Sequence, residues 1–121
     1  MRLFALRGAI SARANDADAI VGATARLMRE VIDRNGLEPD QMVSCIFTVT
    51  ADLDAEFPAV AARNLGLGGV PLLCAREIDV PGSMPRVIRV LVHYYADEAH
   101  EPGHVYLEEA RALRLDLAGA Q

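Results

Sequence analysis

The 121-residue sequence contains no lysine: all twelve of its basic residues are arginines, and they occur singly along the chain. The net charge is -5 and the isoelectric point is near 5.1. Proteins that bind nucleic acids or anionic membrane surfaces broadly carry clusters of basic residues. The composition therefore argues against nucleic acid and against a membrane as the partner of this chain.

Long apolar runs are absent as well. No stretch approaches the roughly 20 apolar residues that span a bilayer, and Arg7 interrupts the first apolar segment too early for a signal peptide. We therefore expect a cytoplasmic protein. The two cysteines, Cys45 and Cys74, lie in apolar strand-like runs, which in a reducing compartment indicates two buried thiols rather than a disulfide.

The length predicts one domain over residues 1–121, and no linker or repeat divides it. Apolar patterning, capping residues and turn residues predict one long amphipathic helix, which begins within the capping segment Asn15–Asp18 and ends at Asn35–Gly36. They also predict a short helix from Glu56 to Leu65, and strands over 2–13, 42–50, 70–74 and 86–96. The segment 104–114 is ambiguous between strand and helix. The expected fold class is α+β, with a sheet packed on the long helix.

The strand over 86–96 is apolar on both of its faces. Alternation places Val87, Arg89 and Leu91 on one face and Ile88 and Val90 on the other. One long helix can cover only one face of a sheet, so we expect further copies of the chain to cover the other.

Two arginines interrupt apolar strands, Arg7 in the first strand and Arg89 in the long one. A guanidinium does not lose its proton and costs several kcal/mol to bury unpaired, so each needs an anion. Glu77 is one candidate partner, which leaves positive charge over. Taken singly, such an arginine is more often a structural ion-pair former, but the three residues together favour an active site with an anionic ligand.

Other motifs in the sequence do not indicate a functional site. The segment from His100 to His104 matches the H-E-x-x-H zinc pattern, but Pro102 and Gly103 break the helix that a zinc site needs. The glycine-rich segment 66–69 precedes a strand and opens no helix, so it predicts a turn and not a phosphate site. No nucleophile with a paired base is evident. Asp52, Asp54 and Glu56 indicate a solvated loop rather than a metal site.

Taken in order, several segments resemble the trimeric, sheet-rich class of chorismate mutase, which is distinct from the all-helical class. The similarity runs from about residue 3 to residue 117, and its segments are Leu6–Ala9, Ala55–Ala59 with Arg63, Val70–Val80, Ile88–Val90, His104–Leu107 and Ala110 to Leu117. The resemblance implies a homotrimer with a pseudo-barrel sheet core and active sites between subunits. It also implies the Claisen rearrangement of chorismate to prephenate, in phenylalanine and tyrosine biosynthesis, without cofactor or metal.

The resemblance also implies roles for individual residues. Arg89 would donate to the ether oxygen and a carboxylate of the substrate, Arg7 and Tyr106 would bind a carboxylate, and Glu77 would accept from the ring hydroxyl, with Cys74 beside it. Pocket wall and entrance would be formed by Phe57, Ala59, Arg63, Leu113 and Arg114.

The residue chemistry is consistent with this implication, because a pericyclic reaction of a dianion needs surplus cations and no nucleophile. Two positions depart from the family pattern: Val60 stands where many relatives carry lysine, and Leu73 where some carry threonine. The alternative is a trimeric protein, non-catalytic or imine-hydrolysing, that binds a small carboxylate metabolite between subunits. Glu77 distinguishes the mutase from this alternative, because a site that only binds anions has little use for a carboxylate.

Overall fold

The computed structural model describes residues 1–113 of the chain. Its strands are β1 (Arg2–Ser11), β2 (Met42–Val49), β3 (Leu72–Arg76), β4 (Val87–Ala96) and β5 (Val105–Leu107). Its helices are α1 (Ala17–Asn35) and the short α2 (Ala59–Ala62), which continues as one π-turn over Arg63–Leu67. Short 3₁₀ turns lie at Pro39–Gln41 and Glu108–Ala110.

The five strands form one mixed sheet in the order β3-β2-β4-β1-β5. The central strand β4 runs antiparallel to both β1 and β2, whereas the outer strands β5 and β3 run parallel to β1 and β2. The predicted α+β fold, a mixed sheet on one long helix with short helical segments, is confirmed.

Both ends of α1 are set by capping residues. The Asp16 side chain accepts a hydrogen bond from the Ala19 amide at 2.7 Å, and Gly36 ends the helix in the left-handed conformation with φ of 60°. Between the caps, Leu27, Met28 and Val31 face the sheet and are fully buried. The helix therefore covers one face of the sheet, as the apolar spacing predicts.

We call the opposite side of the sheet, the side of Arg89, the open face, because no helix of the described residues covers it. On the covered side Ile88, Val90 and Val92 are buried in the main core. On the open face Leu91 is half-buried, and Tyr95 is 45% exposed. An apolar sheet face of this kind is characteristic of contact with another protein surface.

Three local predictions need correction. Strand β3 begins at Leu72 rather than at residue 70, because Pro71 has no N–H to donate and contributes only its carbonyl, which accepts from the Cys45 amide at 3.0 Å. The helix predicted to end at Leu65 is a regular α-helix only to Ala62. The ambiguous segment is a strand over Val105–Leu107, followed by the 3₁₀ turn.

No helix among the described residues is long and apolar enough to cross a membrane.

Candidate active site

A cavity of about 340 Å³ opens on the open face of the sheet, over β1, β2, β4 and β5. We call it the sheet pocket. Two cationic side chains and a phenol line it, together with a hydroxyl and apolar walls: Arg7, Arg89, Tyr106, Thr48, Ile46 and Leu91, with backbone from Gly8 and Val90.

Strand register explains why these residues meet. Arg89 on β4 pairs with Thr48 on one side and with Ala9 on the other, and Ala9 in turn pairs with Tyr106 on β5. Paired residues of neighbouring strands point to the same face of a sheet. The small side chain of Ala9 thus separates Arg89 from Tyr106, and the four residues form one row across the floor of the pocket.

Arg89 and Glu77 form an ion pair at the pocket. The Arg89 Nε lies 3.1 Å from each carboxylate oxygen of Glu77, and the Thr48 hydroxyl donates to Oε2 of the same carboxylate at 2.9 Å. The Glu77 amide donates to the Val49 carbonyl at 2.9 Å, so the residue directly after β3 is held against β2. The ion pair expected between Glu77 and a strand arginine is therefore confirmed.

Burial of the two arginines is less complete than the sequence predicts. The Arg89 side chain is 30% exposed and Glu77 16%, and Arg7 is also half-buried. Within one chain, neither guanidinium lies in a closed core. The arginines face a cavity that solvent or a ligand can enter.

Arg7 and Tyr106 complete the polar lining. The Arg7 backbone N–H donates to Nδ1 of His104 at 2.9 Å. Tyr106 is 6% exposed and packs in a small apolar cluster with Ala9, Val87 and Ala110, beside the partly buried Leu113. Leu113, a predicted wall residue, therefore lies next to the Tyr106 end of the sheet pocket.

Phe57 and Cys74 lie elsewhere in the chain. They line a second cavity of about 320 Å³, which we call the edge pocket. Cys74 pairs with the buried core residue Phe47, so its side chain is on the helix-covered side of the sheet, whereas Arg89 is on the open face. Phe57 is 66% exposed. Within one chain these two residues and Arg89 do not share a pocket.

The remaining predicted site residues are Ala59, Arg63 and Arg114. Ala59 is buried in the main core at the start of α2, and Arg63 is exposed where the π-turn begins. Arg114 lies outside the described residues. The expectation that both cysteines are buried holds for Cys45 but not for Cys74, which is half-buried.

Three lining residues were missed at the sequence level: Thr48, Ile46 and Leu91. Alternation along β2 and β4 places each on the same face as Arg89. Thr48 carries the strongest signal, because a hydroxyl in the apolar strand over 42–50 needs a hydrogen-bond partner when it is partly buried.

The motifs set aside in the sequence have structural partners. The His100 Nε2 lies 2.7 Å from the hydroxyl of Tyr94, and both carboxylate oxygens of Asp52 accept from the Arg86 amide at the start of β4. Within residues 1–113, no three His, Cys, Asp or Glu side chains are grouped to hold a metal ion.

A larger cavity, about 460 Å³, lies at another end of the sheet and shares no residue with the sheet pocket. It mixes three arginines with two glutamates: Arg13, Arg86, Arg111, Glu108 and Glu109. Glu108 is also paired with Arg26 at 3.1 Å. Three cations and two anions leave one positive charge over, as at the sheet pocket, so charge alone does not distinguish the two cavities.

Comparison with known proteins agrees with the geometry. Residues 3–117 match the family model of chorismate mutase type I. The chain is 48% identical to chorismate mutase AroH of Thermus thermophilus over 118 residues, 96% of this chain and 97% of that protein. It is 35% identical to chorismate mutase AroH of Bacillus subtilis, over 98% of this chain and 94% of that one.

A solved structure extends the match to the fold. Chorismate mutase from Clostridium thermocellum superposes with a TM-score of 0.87 at 49% identity, covering 90% of this chain and 98% of that chain. The chain therefore belongs to the chorismate mutase type I family, and its activity is that of a chorismate mutase, an isomerase.

Proposed function

We propose that the sheet pocket binds chorismate and that Arg89, Glu77, Arg7 and Tyr106 carry its rearrangement to prephenate. The observation that carries this proposal is the meeting of two guanidinium groups and one phenol at a single cavity of about 340 Å³, with the Glu77 carboxylate paired to the guanidinium of Arg89. Two cations and one anion leave one positive charge over. That surplus charge matches one substrate carboxylate, the Tyr106 hydroxyl adds a neutral donor for a carboxylate, and the ring hydroxyl of chorismate supplies a donor for Glu77.

Arg89 has the leading role in this proposal. As the ether bond of the substrate breaks, negative charge grows on its oxygen, and a guanidinium already aimed there stabilises the transition state more than the ground state. Glu77 and Thr48 orient the Arg89 guanidinium. Glu77 accepts from Nε, the Thr48 hydroxyl donates to Glu77, and the terminal nitrogens of Arg89 are left for the substrate. One such donor lowers the activation free energy by about 3 to 4 kcal/mol.

The pocket walls contribute by restricting conformation. Chorismate rearranges only when its enolpyruvyl side chain lies folded over the ring. Arg7 and Tyr106, on the neighbouring strands β1 and β5, hold carboxylates, and Ile46 and Leu91 add apolar walls that exclude water. Holding the compact conformer lowers the barrier further. Because bonds are exchanged within one molecule, no cofactor, metal or general base is needed.

A homotrimer, with each active site formed between two subunits, is part of the proposal. The open face is apolar at Leu91 and Tyr95 and needs a partner surface. Phe57 and Cys74 lie at the edge pocket, away from Arg89 of the same chain. If the edge pocket of one subunit meets the sheet pocket of the next, all of these residues line one site. Arg63, exposed beside α2, would then lie near its entrance.

We further propose that residues 1–121 act as one domain in the cytoplasm, on the route to phenylalanine and tyrosine. The family match over residues 3–117 supports the single domain.

The direct test is the turnover of chorismate by the purified protein, with the product identified by NMR. Glu77→Ala should lower kcat/KM at least about 10-fold, because it removes the acceptor for the ring hydroxyl and the anchor of Arg89. Glu30→Ala is the matched control, since Glu30 pairs with Arg34 on the outer surface of α1. Retention of more than a third of the wild-type kcat/KM by Glu77→Ala would contradict the assigned role.

A further inference from the structure

On the β5 side, the backbone N–H of Arg7 is bonded to a side chain and not to a strand. The parallel ladder between β1 and β5 has three pairs and begins at Gly8 and Val105. Arg7 lies one residue before the first pair, and its N–H donates to Nδ1 of His104 at 2.9 Å. The imidazole therefore supplies the acceptor that a longer β5 would have provided, at the residue whose side chain lines the sheet pocket.

The backbone next to His104 is itself clamped. Asn35, the buried last residue of α1, accepts from the Gly103 amide at 2.7 Å and donates to the Gly103 carbonyl at 2.9 Å. Its Nδ2 also donates to the Val31 carbonyl at 3.0 Å. A two-way amide clamp to the end of a long helix gives the residue before His104 little freedom. The imidazole is thus attached to a rigid part of the fold.

The direction of the hydrogen bond defines the role of the ring. A backbone N–H is a donor only, so Nδ1 of His104 is the acceptor. The hydrogen bond to the Arg7 N–H needs only an acceptor at the δ position of the side chain. Asparagine places its amide oxygen at the same number of bonds from the backbone and accepts without any tautomer.

We propose that His104 is a positioning residue for the rearrangement, holding β1 against β5 so that the Arg7 guanidinium and the Tyr106 phenol keep a fixed separation in the sheet pocket. This inference rests on the proposed binding roles of Arg7 and Tyr106. His104 precedes Tyr106 by two residues on the same short segment, so one imidazole links both of these carboxylate-binding residues. Because His104 acts through Arg7, it needs no contact with the substrate.

The position of a binding residue is read out in KM. A carboxylate is held by Arg7 in both the ground state and the transition state, so loosening Arg7 weakens both to a similar extent. We expect His104→Ala to raise KM about 10-fold and to change kcat by less than about 3-fold. A purely structural role would instead lower the melting temperature and the active fraction, and would leave KM unchanged.

Rescue and coupling make the test specific. His104→Asn restores the acceptor and should return KM to within about 3-fold of wild type. In the Arg7→Ala background, His104→Ala should raise KM no further, because the residue through which it acts is gone. His100→Ala is the matched control: it removes a histidine that contacts Tyr94 instead, and KM should stay at the wild-type value.

Each outcome decides the question. If His104→Asn and His104→Ala raise KM equally, or if the effects of His104→Ala and Arg7→Ala multiply, the positioning role is wrong. If His104→Ala does not fold, His104→Leu takes its place, because leucine fills a similar volume and has no acceptor: its KM should lie about 10-fold above that of His104→Asn, and equal values would contradict the role. Absence of mutase turnover in the wild-type protein is a different result and would overturn the proposed function itself.

Discussion

The Nε of Arg89 lies equally far, 3.1 Å, from the two carboxylate oxygens of Glu77. Twelve residues separate the two in sequence, and the side chains meet because Glu77 follows β3 while Arg89 lies on β4, with β2 between them. The contact uses only one nitrogen of the guanidinium. The two terminal nitrogens remain directed to the substrate in the proposed complex.

From this contact we predict that neither Arg89→Ala nor Arg89→Lys supports turnover. Lysine keeps the charge but has a single nitrogen, which cannot hold Glu77 and reach both the ether oxygen and a carboxylate. Each variant should lower kcat about 100-fold or more, measured by the loss of chorismate at saturation. Arg34→Lys, in an exposed ion pair on α1, is the control. If Arg89→Lys keeps more than about a third of kcat, a loss under about 1 kcal/mol, charge alone suffices and the role of the fork is wrong.

The proposed site between subunits predicts complementation. Arg89→Ala inactivates the sheet-pocket side, and Arg63→Ala should weaken the other side. After subunit exchange, a mixture should show more activity than either variant, because some sites receive both intact halves. The mixture before exchange is the control. Light scattering that shows a monomer at micromolar concentration would overturn this arrangement.

Local signals were sufficient for α1 and for the long strand. The helix α1 begins after Asp16, within the predicted capping segment, and ends at Gly36. Alternation along β4 identified the two faces of the strand correctly. These features depend on residues within one turn or one strand. They follow from neighbouring positions in sequence, which is why the sequence alone predicts them.

Features that depend on strand pairing were not predictable in the same way. Alternation within β3 shows that Cys74 and Leu73 face opposite sides, but only the pairing of Cys74 with Phe47 shows which side α1 covers. The link between His104 and Arg7 likewise requires β5 to lie beside β1, 97 positions away in sequence. The family resemblance named most of the proposed site residues, whereas the apolar patterning of the strands pointed to Arg7 and Arg89, with Glu77 as their candidate partner.

The close packing around Gly8 also depends on strand pairing, and a substitution tests it. A Cβ at Gly8 would lie 3.1 Å from Cδ1 of Leu27 and 3.2 Å from Cγ1 of Val90, between the sheet and α1. Gly8→Ala should therefore destabilise the protein by about 1 to 3 kcal/mol through overpacking.

Gly22→Ala is the matched control for that substitution. Gly22 lies within α1, and a Cβ there would meet no atom within 4 Å. Because alanine is the better helix former, Gly22→Ala should stabilise the protein by up to about 1 kcal/mol. Urea unfolding of both variants measures the change in the free energy of unfolding, which should be a decrease for Gly8→Ala and an increase for Gly22→Ala. Equal effects would show that close packing at Gly8 does not limit stability.

Burial of Cys45 predicts a loss of stability at alkaline pH. Removal from water raises the pKa of this thiol from its usual 9.0 to about 12, and burial also raises the pKa of Tyr94. A raised pKa in the folded state means that the unfolded chain loses the proton first. The contribution to stability is therefore complete below pH 9 and is lost progressively as the pH rises toward 12.

Thermal unfolding at pH 8, 9, 10 and 11 measures this effect. The melting temperature should fall most steeply above pH 9, and Cys45→Ala should show a shallower fall over the same range, whatever its stability at pH 8. Tyr94→Phe reports the second group in the same way. If Cys45→Ala and wild type lose melting temperature in parallel between pH 8 and 11, ionisation of the buried thiol does not limit stability, and other groups must account for the alkaline transition.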